Sequence, residues 1–327
     1  MKKFTNIPSD LVYESALGFA AAHAGLVTLN TEPLFVTRKQ PNRSKVAVIS
    51  GGGSGHEPLH IGFVGMGMLD AACPGQVFTS PTPNQMLGAA NAVGGDAGVL
   101  FIVKNYAGDV LNFQMAMDMM DGEFASVLVN DDVSLDTGGD SANRRGIAGT
   151  VVVEKIVGAA AQRGDDLAAC KRIADQVNAR TASMGVAFTS CTVPEAGVGT
   201  FEIGADEMEV GVGIHGEPGR RRENVKPAGE IVQELLPPIL KDVAAKPGNE
   251  VLLFVNGLGG TPLIELYLLY REASEALAHA GITVARSLVG NFTTSLEMAG
   301  ASITLTVLND ECKALWDAPV VTPALRW

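Results

Sequence analysis

The chain has 327 residues, 46% hydrophobic and 18% charged, with 38 glycines and a formal net charge of −12. That length and apolar content suit two packed domains, and the glycines follow neither a collagen period nor a low-complexity tract. The acidic balance argues against nucleic acid, and with no long apolar run or N-terminal leader pattern the expectation is a cytoplasmic protein that engages no membrane.

Short apolar runs closed by polar or glycine turns alternate with helical segments along nearly the whole chain. Val46 to Ile49 ends in Ser50-Gly51-Gly52-Gly53-Ser54-Gly55, Val99 to Val103 ends in Lys104-Asn105, and Ala125 to Val129 ends in Asn130-Asp131-Asp132. Continuous apolar runs of this length fit strands buried on both faces. Helices are expected between them over Asn84–Val93, Val110–Met120 and Ile147–Gln162, the last stopped by Gly164. Further strands are expected at Met184–Cys191, Met208–Ile214, Val251–Val255, Ile282–Leu288 and Ile303–Leu308. A helix over Glu230–Leu240 should kink or divide at Pro237-Pro238, and another should start with Thr261 as N-cap and Pro262 at N1. The expected class is α/β: two α/β domains, each a mostly buried mixed sheet flanked by helices, covering 1–183 and 184–327. The segment from Asp317 to Trp327 is expected as an irregular tail. Arg220-Arg221-Arg222, bordered by acids, is expected as a solvated loop. Cys73, Cys170, Cys191 and Cys312 form no Cys-x-x-Cys pair and suggest free thiols.

Three segments carry candidate chemistry. The glycine turn after Val46–Ile49 can bring backbone N–H groups close to a ligand, but it has no Walker lysine and lacks the third glycine of a dinucleotide fingerprint. A plain tight turn is the competing reading. His56-Glu57-Pro58-Leu59-His60 matches a zinc-peptidase pattern in letters only, because glycines precede it and Pro58 is tolerated only in a first turn. No metal is expected, and His60 is expected to pack beneath the turn. Lys104 would stand at the carboxyl edge of the sheet, where open α/β sheets bind ligands, and Asp109 where a helix begins; a solvated strand end and an N-cap are the alternatives. His215 lies in Gly213-Ile214-His215-Gly216-Glu217-Pro218-Gly219, and the flanking glycines leave its ring accessible.

These strings, with Cys73-Pro74-Gly75, Phe78-Thr79-Ser80-Pro81-Thr82-Pro83, Asn256-Gly257-Leu258-Gly259 and Leu315-Trp316-Asp317-Ala318-Pro319, resemble the substrate-binding subunit of dihydroxyacetone kinases over essentially the entire chain. The resemblance implies that His215 forms a hemiaminal with a ketone carbon. It also implies that Gly53, Ser54, Gly55, His56, Ser80, Lys104 and Asp109 bind the substrate, with His56 and Asp109 joining His215 in catalysis. It implies no nucleotide cofactor on this chain alone: Mg-ATP or Mg-ADP would sit on a nucleotide-binding kinase subunit, with exchange of ATP or recharging by a phosphotransferase-system donor left as alternatives. The family is typically a homodimer. Asp131-Asp132 and the aspartates from Asp136 to Asp140 do not match the partner's magnesium-binding cluster. Two further readings stay open, a kinase subunit for erythrulose-type ketoses and a non-catalytic dihydroxyacetone-sensing regulator.

Overall fold

The computed structural model describes residues 2–135 and 143–327, so Asp136 to Asp140 lie outside the described residues. Among the described residues there are two six-stranded sheets. The first contains β1 (Val27–Thr31), β2 (Leu34–Arg38), β3 (Ala47–Ser54), β4 (Ala71–Val77), β5 (Val99–Lys104) and β6 (Phe124–Val129), in the spatial order β1-β2-β4-β3-β5-β6. Strands β4, β3, β5 and β6 run parallel, while β1 and β2 add an antiparallel edge. The second contains β7 (Thr181–Ala187), β8 (Glu207–Val210), β9 (Arg221–Asn224), β10 (Glu250–Gly257), β11 (Thr283–Gly290) and β12 (Gly300–Val307), in the order β11-β10-β12-β7-β8-β9. Only β10 and β11 pair parallel in it. Both sheets are mixed, as the sequence leads one to expect.

The helices are α1 (Leu11–Ala22), α2 (Pro83–Val93), α3 (Ala107–Asp118), α4 (Gly149–Arg163), α5 (Leu167–Asn178), α6 (Ala228–Asp242), α7 (Leu263–His279) and α8 (Asp310–Asp317). Successive side chains of a strand point to opposite faces, and the central strands divide accordingly. Val48, Leu100 and Ile102 enter one core with α4 and α5, whereas Ile49, Phe101 and Val103 enter another with α2 and α3. In the second sheet, Leu252 and Phe254 reach the same α4–α5 core, while Leu253 and Val255 pack against α6 and α7. Helices α4 and α5 are therefore a middle layer shared by both sheets. This explains why α4 is buried on nearly every side and why the strand runs carry no polar alternation.

Several expectations are corrected. Strand β7 starts at Thr181, upstream of Met184, and stops before Cys191; its polar residues are tolerated in the core because Thr181 and Ser183 bond the hydroxyls of Thr306 and Thr304. Residue 183 thus falls inside a strand of the second sheet. Strand β8 ends at Val210, because Gly211 turns the backbone at φ +84°. Helix α6 is not divided at Pro237-Pro238; Pro237 and Gln233 lie on its exposed side, where water can take a freed carbonyl. Thr261 does not cap α7. Its hydroxyl bonds both N and O of Gly300, and Pro262 is the cap residue. Arg221 and Arg222 belong to an edge strand, and Arg220 is fixed to the carbonyls of Val133 and Ser134, so this run is not a loose loop. The tail after α8 returns to the first sheet's side, where Val321 N donates to Met66 O and Ala324 N to Gly62 O, both at 2.9 Å. All four cysteines are free and buried. Among the described residues no helix is long and apolar enough to cross a membrane.

The shared middle layer makes a stability prediction. Phe254→Ala should destabilise the fold by about 3–5 kcal/mol, whereas Leu263→Ala, on an exposed face of α7, should change it by less than about 0.5 kcal/mol. Urea unfolding of the two variants checks the contrast.

Candidate functional site

Strand β3 lies between β4 and β5 and is parallel to both; the chain leaves β3 toward β4 and β5 toward β6, on opposite sides, which opens a crevice at their carboxyl ends. The glycine turn fills that position, and the lack of side chains is a steric requirement. A Cβ on Gly52 would stand 2.1 Å from Lys104 Nζ, and one on Gly53 would stand 2.6 Å from Thr79 N. The Ser54 hydroxyl donates to Gly75 O at 2.7 Å and ties the turn to β4. Gly55 follows at φ +99°.

Lys104 is the last residue of β5 and is buried. Its ammonium lies 3.2 Å from Asp109 Oδ2 and 3.3 Å from His60 Nε2. Asp109 sits in the first turn of α3, whose unpaired N–H groups favour a carboxylate. Tyr106, not Asp109, is the cap residue. The half-buried Ser80 approaches the same turn, since a Cβ on Gly108 would meet its Oγ at 2.6 Å. His60 Nδ1 lies 2.6 Å from Glu154 Oε1 of α4. His60 is thus packed beneath the turn, as expected.

The second sheet supplies the opposite wall. Beyond β8 the chain enters the glycine-flanked turn that carries His215, whose side chain is 20% exposed. Glu217 grips it twice: its Oε1 lies 2.7 Å from His215 Nδ1, and its Oε2 accepts His215 N at 3.0 Å. Burial would push the Glu217 carboxyl up, but the bond to His215 and the nearby charges of His215 and Arg145 hold it down at about 2. With Nδ1 engaged, Nε2 is the ring nitrogen left for a guest. The His215 ring centroid lies 4.6 Å from Tyr106, 4.8 Å from His56 and 5.1 Å from Phe78, so three residues of the first half surround it.

His56 is buried, stacks on Phe78 at 5.0 Å, and donates from Nδ1 to Thr294 O at 2.7 Å. Its Nε2 is therefore an acceptor, and it has no hydrogen-bond partner among the described residues. The Tyr106 hydroxyl is buried and unpartnered in the same way. Burial, then the charges of His215 and Lys104, lower the His56 pKa well below the usual histidine range, which keeps the ring neutral. His56 and His60 do not share a helix, and among the described residues no group of three or more His, Cys, Asp or Glu is arranged for a metal.

The structure brings Gly53, Gly55, His56, Ser80, Lys104, Asp109 and His215 close to one another, while the Ser54 hydroxyl is spent on the backbone. Sequence reasoning passed over Glu217, Tyr106, Phe78, Glu154 and Arg145. Glu217 and Phe78 lie inside the quoted motifs, and Tyr106 lies between Lys104 and Asp109. Glu154 had one signal, a Glu-Lys pair within an apolar helix. Arg145 had none, as its contacts to Asp132 and Ser134 lie across a loop and that to Gly211 spans 66 residues.

Because the Glu217 pKa is below its ordinary 4.5 in the folded state, its contribution is fully present above about pH 4.5 and is lost as pH falls toward 2. The side chain is 32% exposed, so after allowance for solvent screening the contribution is about 2 kcal/mol. Glu217→Gln should abolish this part of the acid destabilisation, which urea unfolding between pH 6 and about pH 3 would reveal.

Residues 17–324 match the family model of the Dak1 domain. The chain is 44% identical to the PEP-dependent dihydroxyacetone kinase, dihydroxyacetone-binding subunit, of Escherichia coli, over all of this chain and 99% of that one. Among solved structures it is similar to the dihydroxyacetone kinase of C. freundii, with a TM-score of 0.89 and 36% identity over 98% of this chain and 60% of that one. It is also similar to the dihydroxyacetone kinase operon co-activator Dha-DhaQ, with a TM-score of 0.90 and 32% identity over 98% of both chains. The chain belongs to the Dak1 domain family, together with the dihydroxyacetone-binding subunits of dihydroxyacetone kinases.

Proposed function

We propose that this protein is the substrate-holding subunit of a dihydroxyacetone kinase, a phosphotransferase acting on an alcohol, and that it holds dihydroxyacetone or a similar short ketose covalently on His215. The observation that carries the reading is the His215 ring, polarised by Glu217 at 2.7 Å and set edge-on against His56 with ring centroids 4.8 Å apart. Nε2 adds to the ketone carbon, the C=O π pair moves onto the oxygen, and the new positive charge on the ring is offset by the Glu217 carboxylate, which accepts the hydrogen bond from Nδ1–H. The former carbonyl oxygen takes one proton from solvent water and becomes the hemiaminal hydroxyl. A polyol such as glycerol offers no carbonyl, so the tether selects by reactivity where hydrogen bonding alone discriminates poorly.

The tether also fixes a terminal hydroxyl for phosphoryl transfer. Asp109 is assigned as the acceptor of that hydroxyl's proton. His56 offers a neutral Nε2 to substrate oxygens, and Lys104, Ser80 and the Gly53–Gly55 backbone bind hydroxyls. The donor would be a magnesium nucleotide on a separate subunit, and the PEP-dependent name of the E. coli relative supports a phosphotransferase-linked supply. A cytoplasmic homodimer is part of the same proposal. The similarity to the co-activator favours one second reading, a regulator that binds the ketose without transferring phosphate. The presence of His56, Lys104 and Asp109 together argues for catalysis.

Two measurements test this. Dihydroxyacetone labelled with carbon-13 at the ketone should lose its carbonyl signal and gain a tetrahedral one on the wild type but not on His215→Ala. An unchanged spectrum on the wild type would sink the tether. In an assay with the nucleotide subunit, Asp109→Asn should keep the tetrahedral signal but lose about 100-fold or more in turnover. A panel including erythrulose ranks the ketoses, and binding with no phosphorylation on the whole panel would favour the regulator.

A further inference from the structure

Lys104, Asp109, His60 and Glu154 form one buried line from α3 to α4, with separations of 3.2, 3.3 and 2.6 Å. All four are at most 5% exposed. The void beneath the turn, bordered by Gly52, Gly53 and His60, is only about 10 Å³, room for one water at most. Solvent therefore does little to satisfy this ammonium, and a buried charge is costly unless its protons find acceptors.

The donor logic of the line has one consistent solution. An ammonium only donates, so His60 Nε2 must be bare and the ring proton must sit on Nδ1, where Glu154 Oε1 accepts it. The opposite tautomer would set two donors face to face at Lys104. Burial, followed by the charges of Lys104 and His56, lowers the His60 pKa, in keeping with a neutral ring. Burial pushes the Glu154 carboxyl well above the usual carboxylate range, with Ser50 of β3 and the Lys104 charge pulling it down; whether acid or carboxylate, its Oε1 accepts from His60 Nδ1.

We propose, building on the function assigned above, that Glu154 and His60 are positioning residues for phosphoryl transfer: Glu154 fixes the His60 tautomer, and His60 Nε2 holds the Lys104 ammonium against Asp109. Two of the three Lys104 protons are then committed, and the carboxylate that takes the substrate proton is held in place. The glycine at position 52 belongs to the same device, because any side chain there would displace the ammonium.

The test compares His60→Phe, which keeps ring volume but neither bond, with His60→Gln, whose amide oxygen can accept from Lys104 while its NH₂ donates to Glu154. In the reconstituted assay His60→Phe should lose about 100-fold in kcat with KM for the ketose within about threefold and the tetrahedral adduct signal retained, and His60→Gln should recover at least about 10-fold. Nitrogen-15 NMR of the wild type should show His60 as the neutral Nδ1–H tautomer, a readout that stands even where a variant fails to fold. An Nε2–H tautomer, or a folded His60→Phe protein with kcat within about twofold of wild type, would overturn the inference alone. A wild type that neither tethers nor phosphorylates the ketose would overturn the functional reading and this inference together.

Discussion

The site takes residues from each sheet, so its geometry depends on what fixes the sheets to one another, and beside the shared α4–α5 layer that is a pair of buried carboxylates. Asp131 Oδ1 accepts Ile147 N and its Oδ2 accepts Gly149 N, each at 2.7 Å, while Ser183 of β7 donates to Oδ2. One carboxyl group thus holds the entry to α4 and a strand of the second sheet. Burial pushes its pKa up to about 6 even though three hydrogen bonds pull it down. Gly149 is obligatory beside it, since a Cβ there would stand 2.6 Å from the carboxyl carbon.

Asp132 extends this junction toward the chemistry. It receives Arg145 Nε at 2.8 Å, and Arg145 Nη2 reaches Gly211 O, where β8 ends and the His215 turn begins. A Cβ on Gly213 would collide with both Arg145 Nη1 and Glu217 Oε2. The turn that presents His215 is therefore shaped by a guanidinium anchored at the sheet junction, and the nearby charge helps keep Glu217 ionised. Between the walls, Phe78 and Tyr106 of the first half pack on Ile147, Val212, Ile214 and Leu258, which closes the base of the cleft with apolar contacts.

Each wall also handles charge differently. On the first, Lys104 is enclosed and compensated by Asp109 and His60; on the second, His215 keeps solvent access and a single strong partner. A buried, paired lysine suits fixed orientation, whereas an accessible imidazole with one ring nitrogen left free suits addition to a small electrophile. The glycines allow these groups to approach within distances that side chains would prevent.

The sequence by itself determined the α/β class, most strands, and the identity of His215, His56, Lys104 and Asp109 as the residues to watch. Unbroken apolar runs ending in glycine or charged turns are local signals, and the motifs around these residues are contiguous strings. Tertiary structure alone decided the rest. That β7 opens with Thr181 and Ser183, that α6 carries Pro237 and Pro238 unbroken, and that Thr261 bonds Gly300 follow from partners and solvent faces no local window contains. Glu154 and Arg145 act across 94 and 66 residues of sequence, on His60 and Gly211. Such pairings form only when folding brings a helix and two sheets together, because a buried charge is tolerated only where the packed structure delivers its partner.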